Sequence, residues 1–112
     1  MIEDPIVLRA VKLIRAQAFR GVTVAEICGR LNVSRSTLER RMKSALRRGA
    51  KEELLRVQFG EVNRLLRNTD LTIEAITEAT GFNHAHYLQT SYRSRCGLTP
   101  GQFRKRERGR LG

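Results

Sequence analysis

The sequence predicts an all-α protein in which seven helices form two similar lobes joined by a long linker helix. Three observations lead there. The hydrophobic residues, 40% of the chain, are mostly Leu, Ile, Val and Ala, with only 5% aromatic residues and no Trp, and they recur at helical rather than alternating spacing. Ser, Thr or Asp stands before several of the periodic segments, with Gly, Pro or Asn between them. Finally, the chain resembles itself at an offset of about half its length. With 112 residues there is too little chain for two large independent cores. Residues 1–112 are therefore read as one unit: a lobe over 5–50, a linker helix over 52–67, a second lobe over 71–106 and a tail over 107–112.

Asp4-Pro5 starts the first helix, Asp as N-cap and Pro at the first helical position, and Ile6, Ala10, Leu13, Ile14 and Ala18 then line one face to about Phe19. Gly21 breaks it. Thr23-Val24-Ala25-Glu26 is a capping box for a short second helix ending near Leu31. Asn32-Val33-Ser34 makes a tight turn, with Ser34 capping a third helix from Arg35 to Leu46 that turns Leu38, Met42 and Leu46 inward. Leu55, Phe59, Val62 and Leu66 draw an apolar stripe along the linker, which Gly60 weakens. After Asn68-Thr69-Asp70, Thr72 caps a fifth helix with Ile73, Ile76 and Ala79 inward. The turn at 80–83 leads to a sixth helix over 84–94. Thr99-Pro100 starts a seventh to about Arg106, leaving an unpacked tail.

The repeat aligns Thr23-Val24-Ala25-Glu26-Ile27 with Thr72-Ile73-Glu74-Ala75-Ile76, and Val33 with Phe82. One residue later in register, Leu38, Met42 and Lys43 match Leu88, Tyr92 and Arg93. Charge follows the repeat. The chain carries 22 Lys and Arg against 11 acids, a net charge of +11. Residues 35–48 contribute +5 of this and residues 93–110 contribute +6, so the two segments after the turns hold the whole surplus. So much positive charge on a small body implies a polyanionic partner. A short helix, a turn and a basic second helix is the helix-turn-helix pattern, whose second helix is suited to a DNA major groove.

The stretch LLRNTDLTIEAITEATGFNHAHYLQTSYRSRCGLTPGQFR resembles the C-terminal signature of AraC/XylS-type transcription regulators. The matching slots are Leu65-Leu66, Asp70, Ile76-Thr77, Gly81-Phe82, Tyr87-Leu88, Tyr92-Arg93 and Gly97, Thr99-Pro100 and Phe103-Arg104. The similarity covers about Thr23 to Arg104, and the opening EDPIVLRAVKLIRAQA is similar to the segment leading into this domain in the xylose-responsive branch. It departs at Thr90, where an Arg is usual, at Thr77 in place of a common Ala, and at Gly49-Ala50, which stands where Ser/Thr-Pro is expected. The resemblance implies two roughly parallel recognition helices reading successive major grooves on one side of a duplex. It places base contacts on Ser36, Glu39 and Arg40 and on Ala85, His86 and Thr90. Family members usually carry a separate effector-binding and dimerising domain, for which residues 1–22 are too short, and RNA polymerase is a further partner to expect.

From the residues themselves, Arg35 and His84 join the base-contact set as openers of the two helices, and Gln89 as one turn further on. Arg40 can fork onto guanine, Glu39 can accept from cytosine, and Gln89 can pair with adenine. Glu39 also has a plainer reading, an ion pair with Lys43 four residues on. Arg41, Lys43, Arg93 and Arg95 suit phosphates, as do the helix starts capped by Thr23 and Thr72.

Other classes have less in their favour. No nucleophile elbow, Gly-rich phosphate loop or metal-spaced cluster points to an enzyme, a metal site or a cofactor. His84 and His86, two apart on a helix, point their rings to different sides. Cys28 and Cys96 have no CxxC partner, and Cys28 sits on an apolar face, so inert thiols in a cytoplasmic setting are expected. A membrane-surface binder would not require this set of caps. The closest rival is a nonspecific architectural nucleic-acid binder.

Overall fold

The computed structural model describes residues 2–111, of Leu111 only the backbone. Seven α-helices run through the described residues: α1 Pro5–Gln17, α2 Val24–Leu31, α3 Arg35–Leu46, α4 Ala50–Asn68, α5 Ile73–Ala79, α6 Ala85–Cys96 and α7 Pro100–Leu111. A 3₁₀ turn, Ala18–Arg20, follows α1. The chain divides into two compact units, one up to Gln58 and the other from Phe59. The dividing line falls inside α4, so the linker helix supplies core residues to each unit instead of standing apart from both.

In the first unit Val7, Ala10, Val11 and Ile14 of α1 pack with Ile27, Cys28 and Leu31 of α2 and with Leu38 and Met42 of α3. Ala50 and Leu54 of α4 complete that core. Local chemistry sets the ends as expected. Asp4 accepts from the Ile6 amide at 2.9 Å, and Thr23 and Glu26 form the reciprocal box. Leu46, expected inward, is half-buried. The first helix ends two residues early because its last turn tightens into the 3₁₀ form before Gly21, whose φ of 81° lets the chain reverse.

The second unit is built on aromatic residues. Phe59 lies 5.2 Å from Phe82 and 5.7 Å from Tyr92, centroid to centroid, and Tyr92 lies 6.1 Å from Phe103. Tyr92 is wholly buried, and its hydroxyl donates to Asn63 Oδ1 at 2.6 Å. Burial, together with the neighbouring Cys96 thiol, pushes this phenol above its ordinary range. On α5, Ile76 is buried and Ile73 half-buried, but Ala79 faces solvent; Thr77 and Thr80 are buried instead. Their hydroxyls donate to the carbonyls of Ile73 and Ile76, both at 2.7 Å, which leaves the methyl groups to pack.

Residues 107–111, expected as an unpacked tail, continue α7. Residue 112 lies outside the described residues. The helix persists because its cations are tied back to the end of α4. Arg104 donates to the carbonyls of Leu66 and Thr69, both at 3.1 Å, and Arg108 donates to Asp70 at 2.6 Å. Carbonyls orphaned at a helix end are thus satisfied by guanidinium groups.

Glu53, on the buried side of α4, is only 2% exposed. It accepts from Arg48 Nε at 2.6 Å and from Arg56 Nε and NH2 at 2.9 and 2.8 Å. The Arg56 hydrogen bonds, joined by those of Arg48, outweigh desolvation and hold the carboxyl down at about 2. Gly60, by contrast, is an exposed helical position where an added β-carbon would meet nothing within 4 Å. Gly60→Ala is expected to stabilise the protein by ~0.5–1 kcal/mol, since alanine loses less backbone entropy in a helix. Urea unfolding of the two proteins side by side measures it.

Candidate nucleic-acid interface

Each unit presents a helix whose inner face is locked and whose outer face is polar. α2 ends at Asn32 in the left-handed region, φ 55°, and α3 begins under a Ser34 cap that accepts from the Thr37 amide at 3.2 Å. In the second unit Gly81 takes the place of Asn32 with φ 85°. His84 is the N-cap of α6, without a side-chain cap bond, and not its first helical residue. Leu38 and Met42 fix α3 inward, and Leu88 and Tyr92 do the same for α6, all four at 0% exposure.

With about 100° per residue, Arg35, Glu39, Lys43, Ser36 and Arg40 fall within an arc of about 140° on α3. Ala85, Gln89, Arg93, His86 and Thr90 fall on the same arc of α6, fifty residues on. Arg35, Ser36, Arg40 and Lys43 are exposed, as are His84, His86, Gln89, Thr90 and Arg93; Ala85 is half-buried. So most of the expected contact residues come together on one face of each helix. That face offers cations, hydroxyls, an amide and imidazoles, the groups that bond phosphates and base edges.

Four expected residues stand differently. Arg41 and Arg95 project well off the arc, towards its edge with the core. Arg41 NH1 lies 3.3 Å from Asp4 Oδ1, and the Arg95 guanidinium sits 5.3 Å from the centre of the Phe59 ring. Glu39 is half-buried, and its Oε1 accepts from the Ala50 amide at 3.0 Å, a role that neither base contact nor pairing with Lys43 anticipates. Thr23 is engaged within its own cap: its amide and hydroxyl both donate to Glu26 Oε1, at 3.1 and 3.0 Å. A carboxylate therefore already occupies the start of α2. Thr72 caps α5 by accepting from the Ala75 amide at 3.1 Å, and an alanine at that third position supplies no such carboxylate.

Sequence reasoning passed over the buried Glu53 and the Tyr92–Asn63 bond, because a polar residue on an amphipathic helix reads as surface. The Glu39 contact had a signal, the missing Ser or Thr at position 49. Among the described residues no helix is long and apolar enough to cross a membrane.

A family model described as a helix-turn-helix domain matches residues 27–106. The xylose operon regulatory protein of Haemophilus influenzae is 30% identical over 101 residues, 90% of this chain and 26% of its own length. A putative AraC-like transcription regulator of Streptomyces lividans is 31% identical over 102 residues, 91% of this chain and 34% of its own. The chain thus spans about a quarter to a third of these relatives. Among solved structures, the DNA-binding domain of AdpA, a global transcriptional factor, in complex with a target DNA superimposes with a TM-score of 0.83. It is 22% identical and covers 96% of each chain, a likeness of fold.

Proposed function

We infer, from a chain that belongs to the AraC-type family of helix-turn-helix DNA-binding domains, that α3 and α6 are its two recognition helices and enter successive major grooves of one duplex. The equivalent arcs of exposed polar and basic residues on these helices, each backed by a wholly buried apolar face, carry this reading. The DNA-bound AdpA domain, alike in fold, supports it. Arg35, Ser36 and Arg40 on α3, and His84, Ala85, His86, Gln89 and Thr90 at α6, face the bases. Lys43 and Arg93 lie within reach of phosphates on the same arcs, and Arg41 and Arg95 reach phosphate only at the rim. The starts of α2 and α5, capped by Thr23 and Thr72, are further phosphate candidates, each with an acid in its first turn, Glu26 and Glu74.

Selection from a random duplex pool is expected to return a bipartite site with half-sites about one helical turn, ~10 base pairs, apart. Preference over random DNA of ~10³-fold or more marks a sequence-specific regulator; a flat profile marks an architectural binder. Arg40→Ala should cost ~1–3 kcal/mol and relax the choice of base at one position. Lys43→Ala should weaken all sequences alike and flatten the salt dependence by about one unit of slope. Titrations at several salt concentrations on the selected and scrambled duplexes separate the two, and an Arg40→Ala loss equal on every sequence would remove Arg40 from the base readers.

Effector response and contact with RNA polymerase are roles we propose for regulators that carry such a domain, which makes up about a quarter to a third of the relatives' length. The xylose operon regulatory protein points to a sugar as the effector class to test first. The setting we propose is the bacterial cytoplasm.

A further inference from the structure

We infer that Glu39 is a positioning residue and not a base reader: from within the recognition helix it caps the start of α4, in place of the hydroxyl cap that α4 lacks. The inference rests on the reading of α3 as a recognition helix, and it changes which residues of that helix read sequence.

The repeat itself supplies the argument. In the second unit α7 begins with Thr99-Pro100, and Thr99 accepts from the Gln102 amide at 3.1 Å while Gln102 Oε1 accepts from the Thr99 amide at 2.9 Å. The helix start is self-sufficient. The corresponding positions of the first unit, fifty residues earlier, are Gly49 and Ala50. Glycine has no side chain with which to cap, and alanine, unlike proline, brings an amide hydrogen that needs an acceptor. Glu39 supplies it, with Oε1 3.0 Å from the Ala50 nitrogen. The fit is close on the other oxygen as well. A β-carbon on Gly49 would stand 2.1 Å from Glu39 Oε2 and 3.1 Å from its Cδ. Gly49 and Glu39 therefore go together: the space that a cap side chain would fill is filled by a carboxylate from α3.

A negative charge at the first amide of a 19-residue helix is also favourably placed against its dipole. Turned this way, the carboxylate ties α3 at its middle turn to α4, and it is withdrawn from the arc that faces DNA. It would otherwise repel phosphates there. Gln89, its counterpart on α6, is exposed and remains a base reader because Thr99 and Gln102 do the capping in that unit.

Two measurements test this. In thermal melts, Glu39→Ala should lower Tm by roughly 4–8 °C, the loss of one helix cap, whereas Glu39→Gln, which keeps an acceptor oxygen, should lower it by less than half as much. Gly49→Ser places a serine three residues before Glu52, a capping-box spacing. It should raise Tm in the Glu39→Ala background and lower it, or leave it unchanged, in the wild-type background, where it must evict the carboxylate. Equal effects of Gly49→Ser in both backgrounds would overturn the cap. In the second measurement, selection from a random duplex pool, Glu39→Gln should return the wild-type site at every position, with affinity within about threefold, while Gln89→Ala relaxes one position. A change of preferred base at one position in Glu39→Gln would make Glu39 a reader and overturn the inference. If the wild-type protein itself showed no sequence preference, the recognition-helix reading would fall, and the melting cycle alone would then decide the cap.

Discussion

Tyr92→Ala is expected to destabilise the second unit by ~3–5 kcal/mol, the range for truncating a large buried aromatic residue. The ring is wholly enclosed, meets Phe59 and Phe103 edge-on, and carries a hydroxyl that donates to Asn63 Oδ1 at 2.6 Å. A small unit has ~5–15 kcal/mol in all, so the loss leaves a substantial unfolded fraction near 37 °C. Tyr92 also fixes the inner face of α6, and its removal should therefore cost the second half-site first. Binding to a bipartite duplex should fall by ~100-fold or more, towards the affinity of the first unit for its half-site alone. Tyr92→Phe keeps the ring contacts and should cost only ~1–2 kcal/mol, for one hydrogen bond and an unpaired amide oxygen. Urea unfolding and titration of whole and half duplexes give both numbers. Tyr92→Ala with wild-type stability would mean that the aromatic cluster is not the core of this unit.

Glu53→Gln is the second large effect, expected at ~2–3 kcal/mol near neutral pH, because an amide cannot replace an ionised group held by two guanidinium groups in a buried position. The pH dependence follows from the same contacts. The folded carboxyl sits at about 2 against 4.5 for the free group, so below 4.5 the unfolded chain takes up a proton that the folded one resists. Stability from Glu53 is fully present above about 4.5 and is lost as pH falls through about 2. The shift corresponds to on the order of 3 kcal/mol. The Glu61 carboxyl is lowered as well, by its hydrogen bonds to Arg64, but Arg64 is exposed, and such a pair adds little. Urea unfolding at pH 6, 4, 3 and 2 should therefore show a steep acid limb in the wild-type protein and a shallower one in Glu53→Gln. Parallel limbs would place the acid sensitivity on other carboxylates.

What could be read in the sequence was what is decided locally. The Thr23–Glu26 box, the turns at 32–34 and 80–83 and the bounds of α3 follow from residues within a turn of one another, and the structure has them as expected. The seven-helix architecture followed from those signals and the internal repeat. What depends on how a polar side chain is satisfied inside the fold, or on distant parts of the chain, was hidden. Ala79 looks apolar and is exposed, while Thr77 and Thr80 look polar and are buried, because an i−4 carbonyl satisfies a hydroxyl inside a helix. Glu53 needs Arg48, in the α3–α4 turn, together with Arg56 to make its burial tolerable. The end of α7 needs the carbonyls at the end of α4. On the interface the alternation of faces was legible, and helical phase alone would have set Arg41 and Arg95 apart from Arg40 and Arg93. For Glu39 the signal lay elsewhere, in the missing hydroxyl at position 49, since a charged residue mid-helix does not itself reveal that it bends back to an amide eleven positions later.

The guanidinium of Arg104 on the last carbonyls of α4 bears on how the protein is made. During translation, everything the first unit packs together has been synthesised once residue 58 has left the ribosome. The second unit must wait for Phe103 and Arg104 before its earliest helix is closed off. Nascent chains halted short of residue 104 should accordingly hold a finished first unit and an open second one, and a premature stop there would release a protein with one working hand.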